Sequence, residues 1–238
     1  MTRQVRFKDR TNKWWPPRRG YALLHKANPL RLAYFSRYVH DWTSLKVLDV
    51  GCGGGYTCEF LARRGADVSG TDISEGTLEA ARRHAAGAGL KIDYRLGTPV
   101  CIPFASGEMD MVTCLQAMEH IEDVRPTLSE ICRVLKPGGR LFFDTVNRTF
   151  WSKAAAIWFA EVVFRVIDRG THDWRLFIKP EETEWRLRES GFGNVELAGL
   201  RLKFIPWERG GLPLQVAPRG NKSIVYFGSA VRSAASPL

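Results

Sequence analysis

No Cys-x-x-Cys pair occurs in this sequence, and its five cysteines (Cys52, Cys58, Cys101, Cys114 and Cys132) are odd in number and lie inside periodic segments. Neither a zinc cluster nor a disulfide framework is expected; reduced, mostly buried thiols of a cytoplasmic protein fit better. No stretch reaches eighteen apolar residues, so no membrane-spanning helix is expected. The basic start, MTRQVRFKDRTNKWWPP, has no apolar run behind it and does not read as a signal peptide. Gly-Lys-Ser/Thr is absent as well, which removes the phosphate loop of nucleoside triphosphatases.

Acidic residues are scarce at one end only. Residues 1–46 hold eleven Lys and Arg against two Asp, whereas the remainder holds twenty-four basic against twenty-three acidic residues. The net charge of +10 is therefore a basic arm on a nearly neutral body. Such an arm suits a solvated terminus, anionic lipid, nucleic acid or an acidic substrate. Trp14, Trp15, Tyr21 and Tyr34 lie within it and could stack on bases or sit at a membrane interface. No nucleic-acid motif accompanies them, so nucleic acid is not expected as a partner.

What is present is alternation. Apolar positions at helical spacing mark a helix over 22–38, with Pro29 as a kink or fresh start. Short strands at 46–50, 66–71, 91–96, 109–115 and 140–146 then alternate with helices at 56–64, 76–88 and 126–135. That order implies right-handed crossovers and a mostly parallel sheet in an α/β fold. Further on, 150–166 reads as a rich apolar helix and 180–190 as a helix opened by Pro180. The tail gives strands at 195–204 and 223–228, and 206–221, with its glycines and prolines, reads as a loop. The domain reading is a basic helical extension over 1–45 and one catalytic-size domain over 46–238, with a helical lid or insert at about 148–179.

The densest signal is VLDVGCGGG, residues 47–55. Glycine costs entropy on folding, so a cluster directly after a strand implies a geometric need such as close approach of a ligand to the backbone. Gly51, Gly53 and Gly55 form GxGxG around Cys52. The dinucleotide pattern GxGxxG fails from either start, because Tyr56 or Cys58 holds its last position. Asp72 follows twenty-one residues after Gly51, at the end of the second strand and before Ile73, where a carboxylate can accept both hydroxyls of a ribose. Asp49 can anchor the loop or face a ligand ammonium. A ribose acceptor without a phosphate site suggests S-adenosylmethionine (AdoMet), a nucleoside with an amino-acid arm.

DVGCGGG, GTDIS, FASGEMDMVTC, MEHIED and RVLKPGGRLFF resemble the class I AdoMet-dependent methyltransferases. WW, LHKANPLRL and GTHDWRLFIKP are similar to one family within them, the ubiquinone-biosynthesis O-methyltransferases, over residues 7–200. The resemblance implies a Rossmann-like fold whose seven-stranded, mostly parallel sheet ends in an antiparallel strand. It implies methyl transfer from AdoMet to a hydroxyl of a small aromatic acceptor, catechol- or quinol-like and apolar or prenylated, and contact with a membrane surface, so that the protein would be cytoplasmic yet peripheral to the membrane. It places Asp49, Gly51, Cys52, Gly53, Gly55, Asp72, Ile73, Thr98, Pro99, Leu115, Gln116 and Arg31 about the cofactor.

At the reactive end the family holds a divalent cation with an acid followed, three residues on, by Glu-His. Glu119 and His120 match, but Gln116 stands where the acid belongs, and each lost carboxylate weakens a hard-cation site. Magnesium on Gln116, Glu119 and His120 thus stays an open reading beside a metal-free one. Without metal, His120 is the first candidate base for a phenol proton, with Glu119 and His172 as further catalytic candidates; alternatively Glu119 and His120 cap a helix near Asp123, and His172 belongs to a turn. His25 and His84 read as structural or surface residues. The departure at Gln116 also leaves room for an O- or N-methyltransferase of secondary metabolism and for a non-catalytic AdoMet-binding protein.

Overall fold

The computed structural model describes residues 14–15, 20–155, 173–202 and 214–234. Among the described elements α1 (Gly20–Phe35) comes first and carries Pro29 inside it. The alternating part follows as β1 (Lys46–Val50), α2 (Tyr56–Ala62), β2 (Asp67–Asp72), α3 (Glu75–Gly87), β3 (Asp93–Leu96) and β4 (Met109–Leu115). A 3-10 turn, Met118–His120, leads to α4 (Val124–Val134) and the long β5 (Leu135–Val146). The short α5 (Phe150–Lys153), a second 3-10 turn (Trp174–Leu176), α6 (Pro180–Glu189), β6 (Phe192–Leu202), β7 (Leu214–Ala217) and β8 (Asn221–Arg232) follow.

The strands form one sheet in the order β3-β2-β1-β4-β5-β8-β6-β7. The first five are mutually parallel. β8 inserts antiparallel between β5 and β6, so the antiparallel last strand is present. The count of seven is corrected to eight: β7 pairs with β6 along the outer edge, inside the 206–221 stretch that composition marks as a loop. Leu214–Ala217 supplies alternating side chains for only four residues, too few for its pattern to stand out among glycines and prolines.

Strand parity divides the core. Leu48, Val50, Val112, Cys114, Leu141 and Phe143 face α4 and α6, packing on Leu128, Ile131 and Leu187. Their neighbours Val47, Met111, Leu115 and Phe142 face α1, α2 and α3, packing on Phe35, Leu61 and Leu78. Side chains two apart on a strand share a face, so Asp49 and Asp144 lie on the α1 face, whereas Thr145 lies on the α4 face. Burial of α1 follows from its aromatic residues: Tyr34 and Phe35 are 1% exposed, and Phe35 stacks on Phe142 at 4.4 Å.

The Lys136-Pro137-Gly138-Gly139 turn sits inside β5, not ahead of it. Met109 pairs with Leu135 and Met111 with Arg140, so these four residues loop out opposite Asp110. The apolar helix expected at 150–166 is described only in its first turns, and its lid role, with His172 and the rest of 156–172, lies outside the described residues. Among the described residues no helix is long and apolar enough to cross a membrane.

Candidate cofactor and methyl-transfer site

The strand order turns at β1 and β4, where crossovers depart in opposite directions, and ligands of open α/β sheets bind at the carboxyl ends there. The glycine loop leaves β1 at this edge. Gly51 and Cys52 both donate backbone N–H groups to the Thr71 carbonyl, at 2.8 and 3.0 Å, tying the loop to β2. Gly51, Gly53 and Gly55 have φ values of +74°, +53° and +81°, the left-handed region in which a side chain is strained.

Protein side chains use part of the space these glycines leave. A Cβ on Gly53 would lie 2.3 Å from the Trp14 ring, and one on Gly54 would lie 2.7 Å from Trp14. The neighbouring Trp15 donates its indole N–H to the Gly54 carbonyl at 2.8 Å and stacks on His84 at 3.4 Å between ring centroids. Tyr56 meets both indoles edge-on, and its hydroxyl donates to the Trp14 carbonyl. His84 in turn contacts the buried Glu59 at 2.6 Å. The aromatic arm is therefore fastened onto the glycine loop and the start of α2.

Asp72 holds the loop from the other side. One carboxylate oxygen accepts the Gly53 N–H and the other the Ser74 N–H, each at 3.0 Å. Burial raises its pKa and these backbone donors counter the rise. Each oxygen keeps a lone pair, so the carboxylate can still accept two sugar hydroxyls. Ile73, Leu96 and Val100, 40%, 55% and 53% exposed, present apolar surface at the ends of β2 and β3, next to the Thr98–Cys101 bridge and Pro99. An anionic acceptor beside exposed apolar surface, without a cationic phosphate cradle, fits a nucleoside such as that of AdoMet. Asp49 is committed to anchoring: it accepts from the Thr113 hydroxyl at 2.6 Å and from the Cys58 thiol at 3.7 Å. Burial pushes its pKa up to about 6.

Gln116 follows β4 with φ +51°, a left-handed conformation costly for a residue with a side chain. Asp144, at the end of β5, fixes it. The Gln116 N–H reaches both the Asp144 carbonyl (3.0 Å) and Oδ1 (2.8 Å), and the Gln116 amide nitrogen stands 3.4 Å from the same Oδ1. Asp144 also pairs with Arg31 of α1 at 2.8 Å. The sequence reading does not single out Asp144, although it lies two residues from the end of β5, at the same sheet edge where Asp72 closes β2.

Glu119 is fully buried, on the 3-10 turn after β4. Its Oε2 accepts the Thr145 hydroxyl at 2.8 Å, and its Oε1 has no hydrogen-bond partner. Burial pushes its pKa up to about 8. His120 is half-buried beside it, and Asp123 caps α4 with its own carboxylate, accepting the Arg125 N–H. The donor set does not fit the magnesium reading. Gln116 turns its amide toward Asp144, Glu119 is sealed behind Thr145, and no three His, Cys, Asp or Glu group for a metal among the described residues.

A methyltransferase domain model matches residues 48–143, spanning the glycine loop, Asp72 and Gln116. Ubiquinone biosynthesis O-methyltransferases of Thiobacillus denitrificans and Sinorhizobium medicae are 41% and 39% identical, over 82% of this chain and 84% and 83% of theirs. The chain belongs to the ubiquinone biosynthesis O-methyltransferase family. It is an AdoMet-dependent O-methyltransferase. A solved structure from Thermotoga maritima, described as a SAM-dependent methyltransferase and possible histamine N-methyltransferase, shares the fold with a TM-score of 0.64 at 20% identity, over 90% of this chain and 93% of that one. A phosphoethanolamine N-methyltransferase of Haemonchus contortus, solved with S-adenosylhomocysteine, superposes with a TM-score of 0.62 at 20% identity, over 85% of this chain and 52% of that one.

Proposed function

We propose that this enzyme methylates a ring hydroxyl of a catechol- or quinol-like acceptor, with the cofactor sugar on Asp72, its adenine against Ile73, Thr98 and Pro99, and its methionine arm beside Leu115 and Gln116. The observation that carries the reading is Asp72, which holds Gly53 and Ser74 yet keeps acceptor capacity at the switch point of the sheet. The relatives from Thiobacillus denitrificans and Sinorhizobium medicae, both named for ubiquinone biosynthesis, support the acceptor class.

The chain's own residues have two tasks. They must align the acceptor oxygen with the sulfonium methyl at about 3 to 3.5 Å, and they must take a phenol proton whose pKa is about 10. His120 takes the proton, since imidazole titrates near neutrality. Glu119, kept neutral by burial, orients the 3-10 turn from behind. We assign no step to a metal, because the Gln116 amide nitrogen is turned to Asp144 and Glu119 is fully buried with one oxygen on Thr145. Phe150 and Trp151, 62% and 66% exposed where α5 begins, support an apolar or prenylated acceptor and contact with a membrane surface.

The test is turnover: purified protein, methyl-labelled AdoMet and a panel of catechols and quinols with and without prenyl tails. Label in a ring ether supports the reading, and prenylated acceptors should show the lower KM. AdoMet binding without turnover of any hydroxylated ring would replace it with a non-catalytic role.

A further inference from the structure

Every polar group of Asn147 has a partner except one. Its N–H donates to the Ile224 carbonyl at 2.8 Å, carrying the β5–β8 pairing one residue past the end of β5. Its carbonyl accepts the Thr149 N–H at 3.0 Å and the Ser152 hydroxyl. Its amide Nδ2 donates to the Lys222 carbonyl at 2.8 Å. Oδ1 alone is buried with no hydrogen-bond partner among the described residues, and Asn147 as a whole is 8% exposed. A buried acceptor without a donor costs about 1 to 3 kcal/mol, so its persistence calls for a reason. The other buried side-chain oxygens in this condition belong to hydroxyls, which turn their own hydrogens, and to Glu119. Burial pushes the Glu119 pKa up to about 8, so that carboxyl brings its own proton at neutral pH. An amide oxygen can only accept, and the Lys222 carbonyl settles which end of this amide is the oxygen.

Its place in the fold narrows the choice of donor. Asn147 follows Thr145 by two residues, so the two side chains share the α4 face, about 7 Å apart along the strand. Thr145 is the residue that holds Glu119, on the turn that carries His120. β5 lies between β8 and β4. Nδ2 is directed at β8, so Oδ1 is turned the other way, toward the carboxyl end of β4 and that turn. Phe150 and Trp151 stand exposed three and four residues on. A lone acceptor at this edge, in one segment with exposed aromatic rings, suits a hydroxyl on an aromatic ring.

We propose that Asn147 selects acceptors carrying a hydroxyl ortho to the one that is methylated. The ortho hydroxyl keeps its proton and donates a hydrogen bond to Oδ1. Its neighbour gives its proton to His120 and takes the methyl as the sulfonium becomes a thioether. This rests on the catechol or quinol reading and adds the residue that sets the choice within it. A ring without the ortho hydroxyl leaves Oδ1 unpaired, and sites built to pair a hydroxyl reject analogues that lack it.

Steady-state kinetics with a catechol, and with the phenol that lacks only its ortho hydroxyl, test this on wild type, Asn147→Ala and Asn147→Asp. Both variants lose the Lys222 contact, but the aspartate keeps an acceptor oxygen. Wild type should favour the catechol in kcat/KM. Asn147→Ala should shrink that preference about tenfold, mostly through KM, and Asn147→Asp should retain it. Calorimetry should find S-adenosylhomocysteine binding unchanged in both. A preference that survives in Asn147→Ala, or falls equally in both variants, would overturn the proposal and leave Asn147 a structural tie to β8. So would equal kcat/KM for the two acceptors with wild type, a result that needs no variant. Turnover of no hydroxylated ring by wild type would bring down the acceptor reading itself, and this proposal with it.

Discussion

Trp14 lies against Gly54 so closely that a Cβ on that glycine would sit 2.7 Å from three of its atoms. No left-handed φ requires a glycine at 54; the indole does. Two of the glycines after β1 thus accommodate an aromatic arm from the start of the chain, and the arm, through Trp15 and the Gly54 carbonyl, closes over the glycine loop.

Gly54→Ala should therefore destabilise wild type by about 1 to 3 kcal/mol, the usual cost of overpacking. In a Trp14→Gly background the same change should be nearly neutral, because the colliding Cβ and ring atoms are both gone. Urea unfolding of the four proteins gives the coupling. A cost that survives in the Trp14→Gly background would place the constraint in the backbone instead.

Asp72→Ala removes the acceptor of two backbone N–H groups as well as the partner proposed for the sugar. About 1 to 3 kcal/mol of stability should go with the orphaned donors. Affinity for S-adenosylhomocysteine should fall at least tenfold by calorimetry, and unaltered affinity would detach Asp72 from the cofactor. Trp15→Phe is the milder companion. It keeps the stack on His84 and loses only the hydrogen bond to Gly54, so about 1 kcal/mol of stability is at stake.

The alternating strands and helices were legible because each strand from β1 to β5 ends at a composition change, and each helix buries a regular stripe. β7 was not, since four residues among glycines and prolines carry too little periodicity. At the site, Asp72 was legible through its distance from Gly51. Asp144 was not, because no local pattern marks it; only its pairing opposite Leu115 in the β4–β5 ladder brings it to Gln116. The arm was visible as aromatic and basic, but its docking joins residues thirty-nine apart, and no periodicity reports such a contact.

Gln116→Glu would set a second carboxylate beside Asp144 Oδ1. Like charges this close raise each other's pKa and destabilise the fold, so the melting temperature should drop at neutral pH. Millimolar magnesium should restore it in the variant and leave wild type unmoved. Strong magnesium stimulation of wild-type turnover, or loss of that turnover in chelator, would reinstate the metal reading.

Asp49 makes stability depend on pH in a defined window. Its carboxyl titrates at 3.8 when unfolded and about 6 when folded, because burial outweighs the hydrogen bonds from Thr113 and Cys58. Folding therefore takes up a proton between those values. The stabilising contribution of the neutral form is complete below about pH 3.8 and declines as pH rises toward 6, with a slope of at most about 1.4 kcal/mol per pH unit. Asp49→Asn cannot ionise and lacks this slope. The difference in unfolding free energy between variant and wild type should thus shift in the variant's favour from pH 4 to pH 6 and stay flat above about pH 7. Parallel stability curves for the two apo proteins would mean that Asp49 ionises as freely inside the sheet as in water.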